Sequence, residues 1–187
     1  ERPHPDLQRL LARSRDVRRE ASDPKGRMAV MRMNHLHAPF DDVRVRRAIM
    51  LGVSQEDYMR ASRGDDRTDW TTCRSLWPRH TPYFHDEGEA MMPGSLDRAR
   101  AALAQSGYAG QKIVVINPTD FPDIGPLGQV TADMLRRLGM NVELAESDWG
   151  TVVQRRANRE PVDRGGWSIL HTTGGAVAWS TPASSFL

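Results

Sequence analysis

The chain has 187 residues, 39% hydrophobic and 27% charged, with 26 basic residues against 24 acidic ones and a single cysteine. A chain of this length buries roughly 70% of its unfolded surface, so it folds around its own core without disulfides or metal. The composition excludes general disorder, an internal disulfide and a membrane helix, which needs about 18 consecutive apolar residues.

In chain order, Pro5 to Ser14 reads as a short helix started by Pro5, with Leu7, Leu10 and Leu11 on one face. Ser22-Asp23-Pro24-Lys25-Gly26 reads as a turn. Met28 to Asn34 reads as a largely buried strand. A helix from Val43 to Val53 follows, with Asp41 or Asp42 as its cap. Ser54 opens a further helix to Ser62, and Ser54 with Asp57 has capping-box spacing. Residues 63–94 carry Trp70, Trp77, Pro78, Pro82 and Pro93 and read as one long irregular loop, pinned by its own Trp and Tyr residues.

Regular patterning returns at Ser95, which opens a helix through Gln105 that Gly107 stops. Lys112 to Ile116 is apolar on both faces, as in a central strand. The Pro-rich loop Asn117 to Gly125 leads to a helix from Pro126 to Leu138, ended by Gly139. Asn141 to Glu146 alternates as a half-exposed strand does, and Asp148 caps a helix from Trp149 to Asn158. Gly165 to His171 reads as the last strand, and the Gly-, Ser- and Thr-rich tail runs from Thr172 to Leu187. Alternating helices and strands predict an α/β fold, a mixed sheet covered by helices.

Of the 26 basic residues only Lys25 and Lys112 are lysines, and acids are interleaved with the arginines throughout. A nucleic-acid binder gathers its charge on one face and adds stacking aromatics, but aromatics here are only 6%, so nucleic acid is not the expected partner. The start, Glu1-Arg2-Pro3-His4-Pro5-Asp6, is no signal peptide and has no initiator Met, so the chain reads as a piece of a longer one.

Asn34-His35-Leu36-His37-Ala38-Pro39-Phe40-Asp41-Asp42-Val43-Arg44-Val45-Arg46-Arg47-Ala48-Ile49 resembles a signature of the family 5 extracellular solute-binding proteins. These are the dipeptide- and oligopeptide-binding components of ABC importers. Further blocks follow in the family's order: Asp97 to Leu103 with Ser106-Gly107-Tyr108, Ala132 to Val142, and Asp148-Trp149 followed by Gly165-Gly166-Trp167. The resemblance implies a periplasmic-binding-protein-like lobe, with residues 1–187 forming mainly the second of two lobes that close over a solute. It implies a protein in the periplasm or at the cell surface. Its expected partners are a small solute, the permease subunits and the remaining lobe. It implies no catalysis and no cofactor.

In an open α/β sheet a ligand sits outside the carboxyl ends of the strands. The candidate solute contacts are therefore Thr119, Asp120 and Phe121, after one strand, and Thr172, Thr173, Gly174 and Gly175, after another. By resemblance both segments are cleft loops, the first often supplying an Arg or aromatic for a peptide carboxylate and the second a Trp and an Asp. This sequence has no Arg in the first and neither Trp nor acid in the second, so the solute is expected to be polar or bulky and need not be a peptide. The bland reading of Gly174 and Gly175 is a simple turn.

His35, His37, His80 and His85 lack the converging spacing of a metal site. Cys73 has no paired base beside it in sequence. Asp148 reads as a cap and Trp149 as core, Arg155-Arg156 as a solvated face, and Arg46 as a packed stem paired with an acid. The alternative function is a small α/β hydrolase or transferase using His171, Asp120 or Asp148, but no Gly-x-Ser-x-Gly, Walker A loop or His-Glu-x-x-His occurs.

Overall fold

The structure is a computed structural model that describes residues 5–18, 20, 26–79, 81–181 and 183. The expected turn at residues 22–25, His80 and the end of the tail lie outside the described residues. The helices are α1 (Pro5–Leu11), α2 (Val43–Gly52), α3 (Gln55–Arg63), α4 (Leu96–Ala104), α5 (Gly125–Arg137) and α6 (Trp149–Arg156). The strands are β1 (Arg27–Met33), β2 (Ile113–Pro118), β3 (Val142–Ser147) and β4 (Ile169–Gly175).

The strands form a mixed sheet in the order β1-β4-β2-β3, with β2 parallel to β3 and β4 and with β1 antiparallel to β4. Side chains alternate across a strand, so β2 feeds two cores at once. Ile113 and Val115 pack with Ile169 and with residues of α2, α4 and α5, among them Ile49, Leu103 and Leu135. Val114 and Ile116 point the other way, to Leu170 and to Val152 of α6, with Trp149 and Trp167 around them. A strand covered on both faces reads as a continuous apolar run, which is why Lys112 to Ile116 looks central in the sequence. The alternating β3 lies at the sheet's edge.

The signature segment is structural chemistry. Phe40 is fully buried, with Val45, Ala48 and Ile49 of α2 in the same core. Asp42 is the N-cap of α2, accepting from the Arg44 N–H at 2.7 Å, and it also holds the Arg44 guanidinium. These bonds from Arg44 hold the Asp42 carboxyl below its usual range. Among the described residues Arg46 pairs with no acid, contrary to expectation. Its Nη1 donates to the carbonyls of Phe40 and Asp41, at 2.6 and 3.0 Å, and so clamps the turn that drives Phe40 inward.

Other expectations shift as well. α1 stops at Leu11, and Ala12 to Ser14 continue only as hydrogen-bonded turns. Ser54 is the N-cap of α3 but makes no side-chain cap bond, so the capping box does not form; Asp57 instead donates its N–H to the Ser54 carbonyl. The described residues of 64–94 are irregular apart from a short 3-10 turn at Glu87–Met91. Trp70 Nε1 donates to the Gly64 carbonyl, Trp77 and Tyr83 pack at 5.6 Å, and Gln55 bonds both the N–H and the carbonyl of Cys73.

The largest difference is β4. It does not end at His171 but runs to Gly175, while Gly165 to Ser168 lie outside it. Arg27 to Val30 of β1 pair with Gly175 to Thr172, and this gives an apparent turn sequence its strand partners. Gly174 is glycine because the Trp179 indole closes on it: a Cβ there would lie 2.2 Å from Nε1.

Candidate functional site

Because β2, β3 and β4 run parallel, their carboxyl ends meet at one edge of the sheet. The loop after β2 is fixed there by the start of α6. The Thr119 N–H and Oγ1 both donate to the Ser147 carbonyl, at 2.9 and 3.2 Å. Asp120 Oδ1 accepts from the Trp149 N–H at 2.8 Å, and Phe121 packs on the Trp149 ring with centroids 5.1 Å apart. Asp148 caps α6 by accepting from the N–H and hydroxyl of Thr151, which hold its carboxyl below the usual range. Two carboxylates therefore face the positive end of α6.

The back of the same loop is tied to α3. Ser62 Oγ donates to the Asp123 carbonyl at 2.9 Å, and Arg63 pairs with the Asp123 carboxylate at 2.9 Å, both side chains being largely covered. On β4, Thr172 is buried while Thr173, Gly174 and Gly175 are half-buried. The structure thus brings Thr119, Asp120 and Phe121 to the edge that also carries Thr172 to Gly175. Of these, Asp120 already has one oxygen engaged with the backbone, and Gly174 is shaped by Trp179.

Trp149 packs half-buried against the second core, as the sequence suggests, and its ring also meets Phe121 at the rim. Sequence reasoning misses Arg27, whose Nη2 donates to Thr173 Oγ1 at 3.0 Å. No local pattern could have found Arg27, because it meets Thr173 only through the β1–β4 pairing, 146 residues apart.

Below the rim lies a buried polar chain. Tyr58 Oη and Thr131 Oγ1 share a hydrogen bond of 2.7 Å, and Thr131 Oγ1 meets His171 Nε2 at 3.0 Å. Burial pushes the His171 pKa down to about 3 and the Tyr58 pKa up to about 12, so both rings are neutral at ordinary pH. Tyr58→Phe is expected to remove one buried bond worth about 1 kcal/mol, while Thr131 keeps its bond to His171. Urea denaturation of the two proteins measures the difference.

The alternative enzyme finds no catalytic set in these residues. His171 is buried against hydroxyls and an aromatic ring, whereas Asp120 and Asp148 serve the α6 terminus. A hollow of about 300 Å³ lies at the other end of the sheet, lined by Pro39, Asp41, Asp42, Val45 and Tyr108 among others. Its Asp42 is already committed to Arg44.

A family model described as bacterial extracellular solute-binding proteins, family 5 Middle, matches residues 1–187. The chain belongs to this family. This family 5 chain is 37% identical over 173 residues, 91% of its length, to a probable peptide ABC transporter periplasmic-binding protein of Sinorhizobium fredii, 32% of which is covered. The fold matches a dipeptide-binding protein of Pseudoalteromonas sp. SM9913 solved with Met-Leu, at a TM-score of 0.67 and 20% identity, over 98% of this chain and 35% of that one. It also matches NikA of Brucella suis, solved with Fe(III)-EDTA, at a TM-score of 0.70 and 15% identity, over 97% of this chain and 36% of the other. The chain spans about a third or less of the length of the curated relatives it matches.

Proposed function

We propose that this family 5 chain is one lobe of the substrate-binding component of an ABC importer. The lobe takes a small polar solute, a peptide or a molecule of similar polarity, at the carboxyl edge of β2, β3 and β4. The remaining lobe closes over the solute, and the closed form is read by the permease subunits, in the periplasm or at the outer face of the cell membrane. The solute stabilises the closed state only by its differential affinity for it.

The observation that carries this reading is the shared edge. Parallel strands bring Thr119, Asp120 and Phe121 to the same edge as Thr172 and Thr173, with Thr119 and Asp120 exposed, the Phe121–Trp149 pair half-buried and no nucleophile–base pair among them. Such a rim holds a polar molecule without reacting with it.

A thermal-shift screen of the full-length protein against di- and oligopeptides, sugars, opines and polyamines tests it. A true solute at 100 times its dissociation constant adds about 2.7 kcal/mol of stability. Stabilisation of the full-length protein far beyond that of residues 1–187 alone supports the two-lobe reading. Equal stabilisation of both means that these residues hold a complete site, and the two-lobe reading falls.

A further inference from the structure

The charges at the carboxyl edge are unevenly placed. Among the described residues of the rim, the loop after β2 carries Asp120 and Asp123, the end of β3 carries Glu146, and Asp148 follows β3. The cations near the rim are Arg63, already paired with Asp123, and Arg27 at the start of β1. Arg27 is exposed; among the described residues its one side-chain hydrogen bond goes to Thr173 Oγ1 and no carboxylate lies within ion-pair distance of it.

The backbone that carries Arg27 is held in place. Arg27 pairs with Gly175, and the Gly26 carbonyl accepts the Ala176 N–H at 2.9 Å. A guanidinium has five N–H donors in a planar fork, and the bond to Thr173 uses one of them. The others match a carboxylate, to which such a fork binds bidentately. Gly175 carries no side chain beside Thr173, while the Trp179 indole covers Gly174.

From these placements we infer that Arg27, steadied by Thr173, is the specificity-determining anion contact of this lobe, and that its solute presents a carboxylate there. The inference rests on the reading of this edge as the solute site. β1 and β3 are three interstrand spacings apart, about 14 Å. An anion is drawn to the β1–β4 side and repelled from the β2–β3 side, which fixes which end of the solute points where. The charge that the loop after β2 lacks is thus supplied from the opposite edge of the sheet.

The test is native mass spectrometry of the full-length protein against matched pools: dipeptides as free acids and as C-terminal amides, and non-peptide carboxylates with their carboxamides. The expected result is at least tenfold stronger retention of the acid form in whichever pair is bound. Arg27→Gln should reduce that preference to within twofold, and Arg27→Lys should restore part of it, with the thermal midpoint of the unliganded protein unchanged in both. Equal retention of acid and neutral forms, or a preference that survives Arg27→Gln, overturns the inference. Retention of non-peptide acids alone refutes a peptide solute while upholding Arg27. Retention of nothing from any pool overturns both Arg27 and the solute-binding reading.

Discussion

Truncating Phe40 to alanine is expected to destabilise the protein by about 3–5 kcal/mol, the usual cost of emptying a fully buried aromatic site. Phe40 has no exposed surface and joins the core that α2 and the sheet share. Its neighbours cannot easily collapse into the space, because Arg46 clamps the carbonyls of Phe40 and Asp41 from behind. Chemical denaturation measures the change. Val43→Ala, three residues on at a 43% exposed position, serves as the control and should move stability by no more than about 0.5 kcal/mol. A loss for Phe40→Ala no larger than the control's means that the signature turn does not anchor the core.

Acid is the second large lever. An unfolded histidine takes up its proton near pH 6.5, whereas His171 in the folded protein resists protonation down to about pH 3. Between those values the unfolded chain binds one more proton, so stability from this residue is complete above pH 6.5 and is lost as the pH falls. One pH unit corresponds to about 1.4 kcal/mol, so about 2 kcal/mol is lost between pH 7 and pH 5, and more toward pH 3. Denaturation at pH 7 and pH 5 should show this slope, and His171→Gln should remove it. Parallel pH dependence in the two proteins would mean that His171 is not held neutral by burial.

Much of the fold was legible because local patterns and tertiary environment agree. The two-sided apolar run in β2 and the alternation in β3 correspond to a central and an edge strand. Asp42 and Asp148 cap as their positions suggest. The sequence alone ends β4 too early, because Thr172 to Gly175 has the composition of a turn. Only pairing with β1 and the close approach of Trp179 make it a strand with glycine at 174. Ser54 shows the converse: its spacing suits a capping box, yet its side chain makes no cap bond.

The candidate site was half legible for the same reason. That Thr119 to Phe121 leave the end of a strand follows from sequence order. That Asp120 bonds the Trp149 N–H, and that Arg27 reaches Thr173, depends on which strands neighbour one another. No periodicity encodes that order. The polar chain of Tyr58, Thr131 and His171 was equally hidden, since its members come from α3, α5 and β4.

The most direct test of solute capture at the carboxyl edge is hydrogen–deuterium exchange of the full-length protein with and without the solute that the thermal screen identifies. Slowed exchange is expected in residues 119–124, 147–150 and 172–177, with residues 36–45 and 107–111 at the other end of the sheet unchanged. Protection confined to that other end, with the carboxyl edge unaffected, would contradict this account of where the solute binds.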